Sequence, residues 1–126
     1  MNARQVLYID DDEDDQEIFQ MALSEINDDI RCITTYDARL ALNKLATQEW
    51  VPDLIFLDLN MPFMTGADFL EETKKQRDLH LIPIIVLSTS AQASIIQTMK
   101  EKGARDFLTK PGSYRELVSQ LKSILR

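Results

Sequence analysis

The stretch Val6–Asp15, VLYIDDDEDD, sets four large apolar residues directly against six carboxylates. A continuous apolar run of this kind suits a strand covered on both faces, as in a parallel sheet. Six neighbouring like charges repel one another, so the acidic run is either a solvated corner or a place that holds something positive. Two more runs of the same character follow, LIFL (Leu54–Leu57) and IIVL (Ile84–Leu87). RCITTY (Arg31–Tyr36) and DFLT (Asp106–Thr109) are more polar, as edge strands tend to be.

Helical periods separate these runs. Ile18, Met21, Ala22 and Ile26 are expected on one buried face, and Ala38, Ala41, Leu42 and Leu45 on a second. Phe69 and Leu70 mark a third helix around Ala67–Lys75, and Ile95, Ile96 and Met99 a fourth. Tyr114, Leu117, Val118, Leu121, Ile124 and Leu125 carry the i, i+3, i+4, i+7 pattern of a fifth. Pro52, Pro62, Pro83 and Pro111 fall in or beside connections, while Gly66 and Gly103 mark helix boundaries. Five strands alternating with five helices predict an α/β fold, a parallel sheet and right-handed crossovers.

With 44% hydrophobic and 28% charged residues, the 126-residue chain is expected to form one domain spanning 1–126. A chain of that size buries about two thirds of its unfolded surface without needing a disulfide or a metal. The net charge of −7 argues against nucleic acid or an anionic membrane as partner. Cys32 is the sole cysteine and lies in an apolar run, which fits a buried thiol in a reducing compartment. The first residues, MNARQ, have no apolar signal core, and no window approaches membrane-spanning length. A cytoplasmic location is therefore expected.

In open α/β sheets functional groups gather beyond the carboxyl ends of the strands. Asp10 and Asp11 end the first run, Asp58 the third (LIFLDLNMP), Ser88 the fourth (IIVLSTS) and Lys110 the fifth (DFLTKP). Three converging carboxylates cannot all stay ionised without compensation. A hard divalent cation supplies it, and an oxygen-only ligand set suits Mg²⁺ better than Zn²⁺. With a lysine and a hydroxyl beside them, these groups are suited to charge on a phosphoryl group. Asp58 is the natural nucleophile, because a carboxylate can form an acyl phosphate.

These residues together resemble the receiver domain of two-component response regulators of the single-domain chemotaxis type. The resemblance rests on the pair Asp10–Asp11, on DLNMP with Asp58, on PIIVLS with Ser88 and on GARDFLTKP with Phe107 and Lys110. It implies a doubly wound (βα)5 flavodoxin-like sandwich with strand order 2-1-3-4-5. It implies Asp58 as phosphoacceptor and Mg²⁺ held by Asp11 directly, by Asp10 mainly through water, by Asp58 and by the backbone carbonyl of Asn60. Lys110 and Ser88 would bond phosphoryl oxygens, and Phe107 would turn inward with Ser88 as the switch aromatic. Asn60, Thr89 and Ser90 would tune the acyl phosphate, Thr89 by narrowing the approach of small donors. Lys110–Pro111 stands at the family's cis-peptide position.

The resemblance also implies a sensor histidine kinase or histidine phosphotransfer protein as donor. The output partner is not named by it. The face of the fourth helix, fifth strand and fifth helix would carry output and would also serve a homodimer. No output domain follows Arg126, so output is expected through protein contact, and catalysis is expected to be limited to the chain's own phosphorylation and dephosphorylation. Other positions depart from the usual pattern without an assigned role: Thr65 stands before Gly66 where an acidic residue is often seen.

Blander readings apply elsewhere. Asp12–Asp15 are expected in a loop and first helical turn, where carboxylates complement the helix dipole, with Asp14 as the one that reaches the site. His80 reads as an exposed loop residue, Trp50 as an apolar cap over a helix end, and Lys74, Lys75 and Arg77 as a solvated basic end of the third helix. Two other functions fit these residues less well. A haloacid-dehalogenase-like phosphatase wants a second aspartate where Asn60 stands, and a receiver-like interaction module that is never phosphorylated would be expected to lack an acidic residue or the lysine.

Overall fold

Every residue of Val6–Ile9, Leu54–Leu57 and Ile84–Leu87 is buried, as an apolar run lying between two helical layers requires. The computed structural model describes residues 3–59, 61, 63–89 and 92–125. The elements are β1 (Gln5–Ile9), α1 (Glu13–Ile26), β2 (Arg31–Thr35), α2 (Ala38–Ala46), β3 (Leu54–Asp58), α3 (Gly66–Lys75), β4 (Ile84–Ser88), α4 (Ala93–Glu101), β5 (Asp106–Thr109) and α5 (Tyr114–Leu125). All strand pairings are parallel and the sheet order is β2-β1-β3-β4-β5. The flavodoxin-like α/β arrangement expected from the sequence is the one observed. Among the described residues, no helix is long and apolar enough to cross a membrane.

Side chains alternate across each strand, so the sheet feeds two cores. Leu7, Ile9, Ile55, Leu57, Val86 and Phe107 pack toward α2, α3 and α4, with Ala41, Leu45, Phe69, Leu70 and Met99. Val6, Tyr8, Leu54, Phe56, Ile85 and Leu87 pack toward α1 and α5, with Phe19, Leu23, Leu117 and Leu121. Phe19 anchors the second core by stacking on Tyr8, ring centroids 4.1 Å apart, and meeting Phe56 edge-on at 5.0 Å.

That aromatic stack corrects the expected phase of α1. Its buried face is Gln16, Phe19, Ala22 and Leu23, whereas Ile18 and Met21 are exposed. Two apolar stripes about one residue out of register are available on this helix, and the ring contacts with the sheet select the Phe19 stripe. Ile18 and Met21 instead border the cleft between α1 and α5.

Local chemistry sets the ends of the helices that carry the site. Asp12 caps α1, its carboxylate accepting from the backbone N–H of Asp14 at 2.9 Å and of Asp15 at 3.2 Å. Thr65 caps α3 in a reciprocal box with Asp68, which gives this departure from the family pattern a structural role. Gly66 is required next to it. A Cβ there would lie 2.9 Å from Leu59 Cα and 3.0 Å from the Asp58 carbonyl oxygen, both backbone atoms that cannot give way. Lys74 is not simply solvated either, since its ammonium donates to the Glu101 carbonyl at 2.9 Å and ties α3 to the end of α4.

Candidate functional site

Register assembles the site before any side chain is considered. Ile9 pairs with Leu57, so Asp10 and Asp58 lie in one row across β1 and β3. Asp58 pairs with Leu87 and Ser88 with Thr109, so Ser88 stands one residue farther along and Lys110 two. At about 3.3 Å per residue that places the Lys110 backbone well beyond the carboxylate row. Its long side chain reaches back. Alternation puts Asp10, Asp58 and Lys110 on the α1/α5 side with Tyr8, Phe56 and Leu108, and Ser88 on the opposite side with Val86 and Phe107.

Asp10, Asp11 and Asp58 each present a carboxylate oxygen within 4.8 Å of the others. Asp10 is fully buried and Asp58 is 6% exposed, while Asp11 faces solvent. Both Asp10 oxygens are engaged: Oδ1 accepts the Asp12 N–H at 3.0 Å, and Oδ2 accepts the Tyr8 hydroxyl at 2.6 Å and the Lys110 ammonium at 3.1 Å. Lys110 Nζ also lies 3.0 Å from Asp15 Oδ2 and 3.5 Å from Asp58 Oδ1. The Lys110 backbone N–H donates to the Ser88 carbonyl at 2.7 Å, which continues the β4–β5 ladder into the site.

Electrostatics follow from this crowding. Burial alone would lower the Lys110 pKa, but the hydrogen bond to Asp15 and the charge of Asp10 outweigh it, so the ammonium is held above the ordinary lysine value. Burial, then the hydrogen bond to Asp10, pushes the Tyr8 phenol far above its usual value and keeps it a donor. The donor set fits a hard divalent cation: oxygens only, clustered, with Asp11 opening the site to water.

Of the expected residues, Asp10, Asp11, Asp58 and Lys110 converge. Asp15, rather than Asp14, reaches Lys110. The Lys110–Pro111 bond is trans, since no peptide bond among the described residues is cis. Trans is the default for X–Pro by about 0.5–1 kcal/mol, and the lysine meets its three carboxylates in that geometry. Phe107 is buried against the α2/α3/α4 core, in register with Val86. Thr89 is exposed beside β4, whereas Asn60 and Ser90 lie outside the described residues.

Two contributors were not read from the sequence. Tyr8 had a signal, because i and i+2 of a strand share a face and Asp10 follows it by two. Gln16 had one too, as the polar residue in the Phe19/Leu23 stripe. Its Nε2 donates to the carbonyls of Asp10 at 2.8 Å and Thr35 at 2.9 Å, pinning the β1–α1 corner to β2. His80 lies exposed in a turn, as expected, and Trp50 packs half-buried on the α2/α3/α4 core.

Comparison with known proteins agrees with this fold. The phosphorylated cyanobacterial phytochrome response regulator RcpA superposes with a TM-score of 0.88 at 28% identity, covering 96% of this chain and 90% of that one. The Mn²⁺-bound form of the response regulator Rcp1 gives 0.85 at 28% identity, covering 96% and 91%. The chemotaxis response regulator CheY4 of Vibrio cholerae gives 0.82 at 30% identity, covering 99% and 100%. A probable transcriptional regulator, ycf27, of Porphyridium aerugineum is 34% identical over 126 residues, and the chain spans about half, 50%, of its length. The response regulator receiver domain family matches residues 6–122. The chain thus belongs to the response regulator receiver family.

Proposed function

We propose that the chain is a phosphoacceptor switch in which Asp58 takes a phosphoryl group from a phosphohistidine on a sensor histidine kinase or histidine phosphotransfer protein. The observation that carries this reading is the convergence of Asp10, Asp11 and Asp58 within 4.8 Å, with the Lys110 ammonium 3.5 Å from Asp58. A bound Mg²⁺ would neutralise charge on the transferring phosphoryl oxygens. Asp11, Asp58 and the Asn60 backbone carbonyl would hold it, with Asp10, whose oxygens are engaged, acting through water.

An Asp58 oxygen attacks phosphorus in line with the leaving imidazole. The P–O bond forms as the P–N bond breaks, and the electron pair departs on the histidine nitrogen. Lys110 then pairs with one phosphoryl oxygen and the Ser88 hydroxyl donates to another. Because Ser88 shares a side of the sheet with Phe107, its displacement is felt in the α3/α4 core, which shifts a two-state equilibrium at the α4, β5 and α5 face. Output is binding of a partner protein, or of a second copy, at that face. Thr89, with Asn60 and Ser90, tunes donor access and the lifetime of the acyl phosphate. The exposed Ile18, Met21 and Tyr114 beside Lys110 and Pro111 offer an apolar landing for the donor protein close to Asp58. The reading places the chain in the cytoplasm, as a switch that turns over no other substrate.

Intact mass after incubation with acetyl phosphate and Mg²⁺ tests this. A gain of one phosphate is expected, lost in Asp58→Asn and without metal. A phosphohistidine protein serves as second donor, because Thr89 narrows access for small ones. No gain from either donor would leave an unphosphorylated interaction module.

A further inference from the structure

Three carboxylates compete for one ammonium. Lys110 Nζ lies 3.0 Å from Asp15, 3.1 Å from Asp10 and 3.5 Å from Asp58, so the longest contact is to the nucleophile. An ammonium has three protons and can serve three acceptors, and the graded distances say that it leans toward α1. Asp10 Oδ2 divides its lone pairs between the Tyr8 hydroxyl and the ammonium, whereas Asp15 Oδ2 makes the shortest of the three contacts to Lys110. Asp15 stands in the first turn of α1, its backbone N–H fixed by the Asp12 cap. Phosphoryl transfer to Asp58 has no evident use for this fourth carboxylate.

Its use lies in a conflict between cations. An ammonium and a divalent ion both seek the Asp58 oxygens, and each repels the other at that range. We propose that Asp15 is a positioning residue for Lys110, drawing the ammonium toward α1 and loosening its 3.5 Å pair with Asp58 so that a divalent cation can use that carboxylate, and yielding it to a phosphoryl oxygen after transfer. The inference rests on the reading of Asp58 as a phosphoacceptor beside a metal and deepens it. Lys110 thereby has two stations, one on α1 and one on the phosphoryl group. Among the described residues its ion pairs are with Asp10, Asp15 and Asp58, and Asp14 has no part in them.

The test is calorimetric Mg²⁺ binding to the wild type, Asp15→Asn, Asp15→Glu and Asp14→Asn, with the two Asn variants repeated in a Lys110→Ala background. Asp15→Asn and Asp14→Asn remove the same charge from the same helical turn, but only the first touches Lys110. Asp15→Asn is expected to weaken binding roughly three- to tenfold more than Asp14→Asn, the usual size of coupling between contacting charged groups. Asp15→Glu should retain wild-type affinity, and the difference between the Asn variants should vanish without Lys110. Equal losses, a difference that persists in Lys110→Ala, or a wild type that binds no Mg²⁺ would overturn the proposal. If Lys110→Ala does not fold, Lys110→Gln supplies the background. Phosphate gain by intact mass is measured in parallel. A gain that requires Asp58, with equal losses in the two Asn variants, rejects the Asp15 tether alone; no gain from either donor rejects the phosphoacceptor reading.

Discussion

The Tyr8 hydroxyl donates to Asp10 Oδ2 across 2.6 Å, joining the sheet interior to the acidic corner beyond it. Its ring is held independently by the stack on Phe19. Tyr8→Phe therefore removes one bond to a buried carboxylate and leaves the packing in place. A loss of about 1.5–3 kcal/mol in urea unfolding at neutral pH is expected, the usual range for a hydrogen bond to a charged group.

The same pair gives an alkaline signature. The Tyr8 pKa is raised in the fold by burial and by Asp10, so its contribution is intact below the ordinary tyrosine value of about 10 and falls as pH rises above it. Lys110, also raised, behaves likewise above about 10.4. Tyr8→Phe should flatten the alkaline fall in stability only in part, because Lys110 and Cys32, both raised in the fold, contribute to it as well. An unchanged alkaline limb in Tyr8→Phe would count against the hydrogen bond.

Gly66 couples folding to the site. Its missing Cβ lets α3 start against the backbone of Asp58 and Leu59. Gly66→Ala must push α3 and the β3 end apart, at a cost of about 1–3 kcal/mol, typical of overpacking. Thermal unfolding should show the loss, and Mg²⁺ affinity should fall with it because Asp58 moves. A variant as stable as the wild type would mean that the close approach does not hold in solution.

Phe63 is 81% exposed and has φ 67°, in the left-handed region that bulky residues rarely occupy. The Arg39 guanidinium lies 4.4 Å from its ring centroid, itself held by Asp37 at 3.1 Å. Phe63→Ala loses the cation–π contact and keeps the strain, whereas Phe63→Gly loses the contact and relieves it. Gly should be more stable than Ala here by about 1 kcal/mol, the reverse of the order in helices and strands. Chemical denaturation of the pair decides it.

Cys32 is half-buried and its thiol is pushed up to about 12 by burial. The thiolate is therefore far rarer near neutral pH than for an exposed cysteine. Reaction with a disulfide reagent should be slow in the native protein and fast in urea. Comparable rates in both conditions would place the thiol at the surface.

Much of the site was legible because strands end where apolar runs end. Asp58 and Ser88 close β3 and β4, and Lys110 follows β5, as the runs implied. The rotational phase of α1 was not legible. Ile18 and Met21 satisfy a helical period as well as Phe19 and Leu23 do, and the rings of Tyr8 and Phe56 distinguish them. The choice of Asp15 over Asp14 depends on that same phase, since one residue along a helix turns a side chain by about 100°.

The sequence by itself determined the parallel sheet, its alternation with helices, and the residues at the carboxyl ends: Asp10, Asp11, Asp58, Ser88 and Lys110. These follow from one-dimensional patterns, because burial on both faces and short connections leave few ways to build the sheet. Only the tertiary structure decided how the charges are shared. It buried Asp10 under Tyr8, turned Asp11 to solvent, and drew Lys110 toward Asp15 on α1. Side-chain reach and the packing of α1 on the sheet set those distances, and electrostatic partnership depends on distances of an ångström or less, which spacing along the chain does not encode.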